Sequence, residues 1–146
     1  MATFVKINDW MNYAKEDVDT ASDTFKLALT LDAPTAGTDA TADNNGVIAN
    51  ISEITYTNYS DDLTVDRVLE SVTSTQTGGT YKFDAGDVVI TASGGAIPDF
   101  RYVVIYDDTV AGDPLVGYWD YGSTLSLADT ETLTITFGAS GIYTIA

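Results

Sequence analysis

Apolar and polar side chains alternate along much of this chain, most cleanly in Phe25-Lys-Leu-Ala-Leu-Thr-Leu31, where Phe25, Leu27, Leu29 and Leu31 fall on one side. Successive side chains of a strand point to opposite faces, so this spacing predicts a strand with one buried face. In FRYVVIYDDTVAGDPLVGYWDY, residues 100–121, the pattern changes. Phe100, Tyr102, Val104 and Tyr106 would share one face and Val103 and Ile105 the other, so both faces are apolar and the strand is expected to be central. The connection Asp107-Asp108-Thr109-Val110-Ala111-Gly112-Asp113 carries turn chemistry and leads through Pro114 into a return strand rich in Tyr and Trp. A long central hairpin is predicted, with the rest of the chain packed around it.

Other strands are expected at residues 63–75, 80–83, 88–92, 130–137 and 141–145, and a short strand or turn at 51–59. Thr77-Gly78-Gly79 marks a tight turn between the first two. In the 130–137 strand Leu133, Ile135 and Phe137 are expected inward, with Thr132, Thr134 and Thr136 towards water. The only helical spacing lies near the N-terminus, where Asn8 or Asp9 can cap a helix carrying Trp10, Tyr13 and Ala14 on one face. That face reads as core first and as a docking face second. Residues 32–50, rich in Ala, Thr, Asp, Asn and Gly, form a long polar loop. About eight strands and one short N-terminal helix make the expected class all-β, an antiparallel β-sandwich with jelly-roll or immunoglobulin-like topology left open. A length of 146 residues fits one domain spanning 1–146, with 1–24 as a helix or arm available for subunit contacts.

Composition narrows the chemistry. Cysteine and histidine are both absent, which removes disulfides, thiolate catalysis, the usual zinc ligands and the Ser-His-Asp arrangement. Six Lys and Arg stand against 22 Asp and Glu, a net charge of −16. Such a chain repels phosphate backbones and anionic membrane surfaces, so neither nucleic acid nor membrane is an expected partner. No stretch approaches the roughly 18 apolar residues of a membrane-spanning helix. The opening MATFVKINDW lacks the sections of a signal peptide, so secretion by that route is not expected. The charge is uneven. Residues 32–66 hold seven carboxylates and no Lys or Arg, whereas Lys6, Lys15 and Lys26 face five acids in the first 26 residues, 3 − 5 = −2. The N-terminal region is therefore the least repulsive place for a partner to dock.

No catalytic motif appears, and no cofactor is implied. Asp43-Asn44-Asn45-Gly46, and Asp107-Asp108 with Asp113, offer hard oxygen ligands suited to calcium, but neither has the alternating spacing of a calcium-binding loop, and such turns form for backbone reasons alone. Asp107, Asp120, Glu53 and Glu70 are the carboxylates that a glycosidase-like site would draw on. Tyr102, Tyr106, Tyr118, Trp119, Tyr121 and Tyr143 either fill the core or line a sugar-stacking face. Arg101 is expected to pair with Asp99, with Asp120 or across a subunit contact.

The opening MATFVKINDW, SDTFKLALT at 22–30, STQTGGTYKF at 74–83 and the run from residue 90 to 146 resemble a family of small virion proteins of tailed bacteriophages. The most specific part is the pairing of FRYVVIYDDT with DPLVGYWDYGS. The resemblance implies a capsid cement or decoration protein, β-rich, non-enzymatic and commonly homotrimeric, bound to the outer surface of the head and bridging subunits of the major capsid protein. It further implies residence in the host cytoplasm before assembly. Within that reading, Phe4, Lys6 and Trp10 are the expected contacts with the shell or a neighbouring subunit. The alternative is a tail or fibre component that binds a host surface glycan through an aromatic face.

Overall fold

The computed structural model describes residues 2–16, 18–34, 46–55, 59–61 and 67–146. It is mostly β, and every strand pair in it is antiparallel. The elements in chain order are β1 (Phe4–Lys6), α1 (Trp10–Glu16), β2 (Phe25–Thr30), a 3₁₀ turn (Ile48–Asn50), β3 (Tyr59–Asp61), β4 (Thr73–Thr77), β5 (Thr80–Asp84), β6 (Val88–Ala92), β7 (Ile97–Asp107), β8 (Leu115–Leu127), β9 (Thr132–Ile135) and β10 (Tyr143–Ile145). They form three sheets, in the orders β1-β8-β7-β2, β10-β5-β4 and β3-β6-β9.

The apolar run at 102–106 becomes the middle of the largest sheet. β7 lies between β8 and β2, and residues 102–107 are buried on both of its faces. The loop that returns the chain to β8 needs backbone that few residues adopt easily. Gly112 has φ +90° and Asp113 φ +51°, positions suited to glycine and tolerated by aspartate.

Cross-strand partners share a face, which fixes the sides of this sheet. Phe25, Leu27 and Leu29 stand opposite Asp107, Ile105 and Val103, and Val103 and Ile105 stand opposite Trp119 and Gly117. That side is covered by other elements. Phe25 meets Phe83 of β5 with ring centroids 4.8 Å apart and Trp10 of α1 at 6.1 Å, while Trp119 meets Phe137, just beyond β9, at 5.7 Å. Trp10, Phe25, Leu27, Leu29, Phe83 and Ile105 are fully buried there.

One glycine decides how β1 seats on β8. Gly117 opposes Lys6, and the ring of Phe4, one pair along, lies over it. A Cβ at 117 would stand 2.6 Å from both Cε2 of Phe4 and the carbonyl oxygen of Val5, so only glycine fits beneath the ring.

The far edge of the sheet, β2, is covered by irregular chain. The Leu27 amide donates to the Arg67 carbonyl and Leu69 to Phe25, while the Ile54 amide donates to Leu29. Arg67 also forms an ion pair with Glu53, linking the two covering segments. Burial lowers the Arg67 pKa. The Arg67 backbone has φ +62°.

Several expectations need correction. Leu31 was expected on the buried side of its strand, but β2 ends at Thr30 and Leu31 is 52% exposed. Of the strand expected at 63–75, residues 63–66 lie outside the described residues, 67–72 are not strand apart from a single bridge from Val68 to Lys26, and β4 begins at Thr73. The last two strands are shorter than expected, Thr132–Ile135 and Tyr143–Ile145. β1 was not expected at all.

Candidate functional site

β1 places the N-terminal contact candidates. Its pairs with β8 are Phe4 with Trp119, Val5 with Tyr118 and Lys6 with Gly117, and the Ile7 amide continues the ladder by donating to the Val116 carbonyl. In an antiparallel ladder the bonded positions alternate, so the N–H and C=O of Phe4 and Lys6 point away from β8 to the outer side of the sheet. Phe4 is half-buried, its ring 4.8 Å from that of Trp119. Lys6 is also half-buried, and its Nζ donates to the Ile7 carbonyl at 3.3 Å. Lys26, Arg67, Lys82 and Arg101 each face a carboxylate, Asp108, Glu53, Asp84 and Asp120 respectively.

Trp10, the third candidate, offers no surface to a partner in this fold. It is fully buried, and its Nε1 donates to the Tyr143 hydroxyl at 3.1 Å. The physical reason is its position on the inward face of α1 with Tyr13, where an indole gains more by desolvation against Phe25 than by exposure. The exposed apolar side chain of that helix is Met11, which borders a groove of about 270 Å³ with Val18, Tyr81, Tyr143 and Ile145.

A second, larger cleft opens where β8 passes β9. Its volume is about 490 Å³, and it is lined by Ala2, Trp119, Asp120, Tyr121 and residues 134–136. The carboxylate at its edge is already engaged. Arg101 donates to Asp120 through Nε at 2.7 Å and Nη2 at 2.9 Å, a bidentate pair that holds the Asp120 carboxyl below its usual pKa and raises that of Arg101. The aromatic residues divide in favour of the core. Tyr102, Tyr106 and Trp119 are buried, and Tyr118, Tyr121 and Tyr143 are half-buried, so Trp119 and Tyr121 are the two rings that border this cleft.

The first calcium candidate, at 43–46, has Asp43, Asn44 and Asn45 outside the described residues. At the second, Asp107 Oδ1 accepts the Thr109 and Val110 amides at 2.8 and 3.2 Å, Asp108 pairs with Lys26 at 2.8 Å, and Asp113 lies across the loop. Among the described residues no three acidic side chains gather as metal ligands. The carboxylates nominated for glycoside cleavage are likewise held apart in separate contacts, Asp120 on Arg101 and Glu53 on Arg67.

The burial of Asp107 is what the sequence did not reveal. The residue is fully buried at the end of β7, with the Asp23 carboxyl beside it. Burial, with the neighbouring Asp23 carboxyl adding to it, pushes the pKa up to about 6 against the Thr109 and Val110 amides, which lower it. The missing signal was burial, since an Asp closing a turn is ordinarily solvated.

Comparison with known protein families, with curated proteins and with solved structures returns no match.

Proposed function

We propose that this chain is a structural virion protein, a non-enzymatic capsid cement or decoration protein that binds the outside of a phage head and bridges subunits of the major capsid protein. The observation that carries this reading is the position of Phe4 and Lys6 two residues apart on β1, the outer strand of the largest sheet. It puts an aromatic ring beside a cation held by a carbonyl, in the least acidic part of a chain of net charge −16. A clamp for a shell needs apolar contact, main-chain pairing and a positive spot that survives the general negative field, and β1 supplies all three.

Two further points support the reading. The residues that carry the resemblance to phage virion proteins, FRYVVIYDDT and DPLVGYWDYGS, form β7 and β8, the framework on which β1 rests. The Phe25–Phe83 contact joins the largest sheet to the β10-β5-β4 sheet. We therefore place these two sheets as layers of a β-sandwich of jelly-roll or immunoglobulin-like type, with the subunit assembling as a homotrimer on the head after its time in the host cytoplasm.

The test is the position of the protein in purified virions, read by quantitative mass spectrometry of separated heads and tails. Copies in step with the major capsid protein are expected on heads, and free protein should bind expanded heads far better than unexpanded procapsids. Lys6→Glu should weaken head binding several-fold, because it adds a negative charge at the contact. Recovery from tails alone overturns the proposal.

The cleft bordered by Trp119, Asp120 and Tyr121 favours one other reading, a tail or fibre component that binds a host surface glycan. Selective signals on a glycan array, lost in Tyr121→Ala, would establish it in place of cement.

A further inference from the structure

Three of the six edge strands carry no charge. β4 reads Thr-Ser-Thr-Gln-Thr, β9 Thr-Leu-Thr-Ile and β10 Tyr-Thr-Ile, in a chain with 28 charged residues. Among these β4 is the longest, and among the described residues it pairs with β5 alone. Exposed sheet edges are normally guarded by Lys, Pro, a bulge or a covering segment. β2 has such a cover in residues 53–54 and 67–69. Among the described residues β4 has none of these guards: its five residues pair with β5 in unbroken register and lie within an uncharged run from 71 to 81.

The open side of β4 can be identified residue by residue. Thr77-Gly78-Gly79-Thr80 is a two-residue hairpin turn with φ of +58° and +89° at the glycines, so Thr77 and Thr80 form the closing hydrogen-bonded pair. Bonded positions alternate, so Thr73, Thr75 and Thr77 face β5, while the N–H and C=O of Ser74 and Gln76 point outward.

We propose that this edge pairs with β4 of a second copy of the chain, antiparallel and about a twofold axis through Thr75. The sequence of the strand favours a copy of itself as the occupant. Thr73-Ser74-Thr75-Gln76-Thr77 is nearly the same read in either direction, so the twofold sets Thr75 against Thr75 and Thr73 against Thr77 on one face, with Ser74 against Gln76 on the other. Cross-strand Thr–Thr pairs are favourable, and the two outward residues of each copy supply about four main-chain hydrogen bonds. Charge points the same way. Two molecules of net charge −16 repel each other, and they can approach here because the only ions on the hairpin, Lys82 and Asp84, already pair at 2.9 Å within one copy. The contact is isologous and stands apart from the shell-binding face at β1, so it goes beyond the capsid reading and does not depend on it.

Cysteine is absent from the chain, which makes the test direct. Thr75→Cys places two thiols in a non-hydrogen-bonded pair, with Cα atoms about 4.5 Å apart, within disulfide reach. Mild oxidation of the full chain should give a covalent dimer on a non-reducing gel, in several-fold higher yield than Ala111→Cys, an exposed control in the β7–β8 loop. Adding Ser74→Glu and Gln76→Glu to the Thr75→Cys chain should suppress that dimer. Without any substitution, hydrogen exchange at the Ser74 and Gln76 amides should slow as protein concentration rises, while that at Thr75, already bonded to β5, stays constant. A Thr75→Cys yield equal to the control, or exchange at 74 and 76 independent of concentration, overturns the proposal. Neither result bears on whether the protein sits on heads.

Discussion

Two hairpins in this protein share a topology and differ in nearly everything else. The β7–β8 hairpin is long, buried on both faces along residues 102–107 and flanked by β2 and β1. The β4–β5 hairpin is short, and four of the five β4 residues are exposed. In the first, side chains decide the strand's position, because a slip of one residue would exchange two packed faces. In the second the backbone carries most of the specificity: a turn that demands two glycines, and an outward row of N–H and C=O groups. Stability is thus concentrated in one hairpin, and capacity for association is left in the other.

The sharpest way to break this contrast is to remove the same kind of group from each. Ile105→Ala opens a cavity beneath Leu27 and should cost about 2–5 kcal/mol, whereas Thr75→Ala should change stability by no more than about 0.5 kcal/mol. Chemical denaturation measures both, and similar losses would show that the β4–β5 hairpin is as deeply integrated as β7–β8.

Next in size is Gly117→Ala, in the middle of the buried hairpin. Its methyl group meets the Phe4 ring and the Val5 carbonyl, so a loss of about 1–3 kcal/mol is expected. Phe4→Ala in the same chain should recover part of it, since one obstacle is then gone. Strict additivity of the two substitutions would mean that Phe4 does not lie over Gly117.

A change confined to a narrow pH window sharpens the comparison further. Asp107 ends β7 buried, its pKa lifted from the ordinary 3.8 to about 6, while Asp84 ends β5 paired with Lys82. Between about pH 4 and 6 the folded state holds a proton on Asp107 that the unfolded chain has released, so this group's contribution to stability falls as pH rises through that window and is constant above it. Asp107→Asn keeps an acceptor for Thr109 and Val110 and does not titrate. The variant should therefore gain on the parent by about 2 kcal/mol across the window. Melting curves that run parallel from pH 4 to 6 would refute the assignment.

What the sequence revealed follows from the same division. Phe25, Leu27 and Leu29 alternate, Val103 to Tyr106 are apolar without a break, and each pattern has one simple structural solution. The turn at Gly78-Gly79 was equally legible, because two adjacent glycines at the tip of a hairpin mark positive φ. β1 was not legible. Three residues carry no period, and Phe4 finds its place only because a glycine lies 113 positions away (117 − 4) in the strand beside it. The contact candidates show the same limit. Phe4 and Lys6 were singled out for charge and position, without the strand that presents them, and for Trp10 the reading as core holds while the reading as a contact does not, because an aromatic near a terminus has the same spacing whether it faces the core or a partner. The division into three sheets was also hidden, since it rests on pairings such as β5 with β10 that no local pattern encodes.

The hydrogen bond from Trp10 to Tyr143 spans 133 residues, and it sets a timetable. Ribosomes add roughly 5–20 residues per second, so the indole that closes the N-terminal part of the core waits roughly 7–27 s for its phenol to be made. Through that interval Trp10, Phe25 and their neighbours belong to a growing chain that cannot yet bury them.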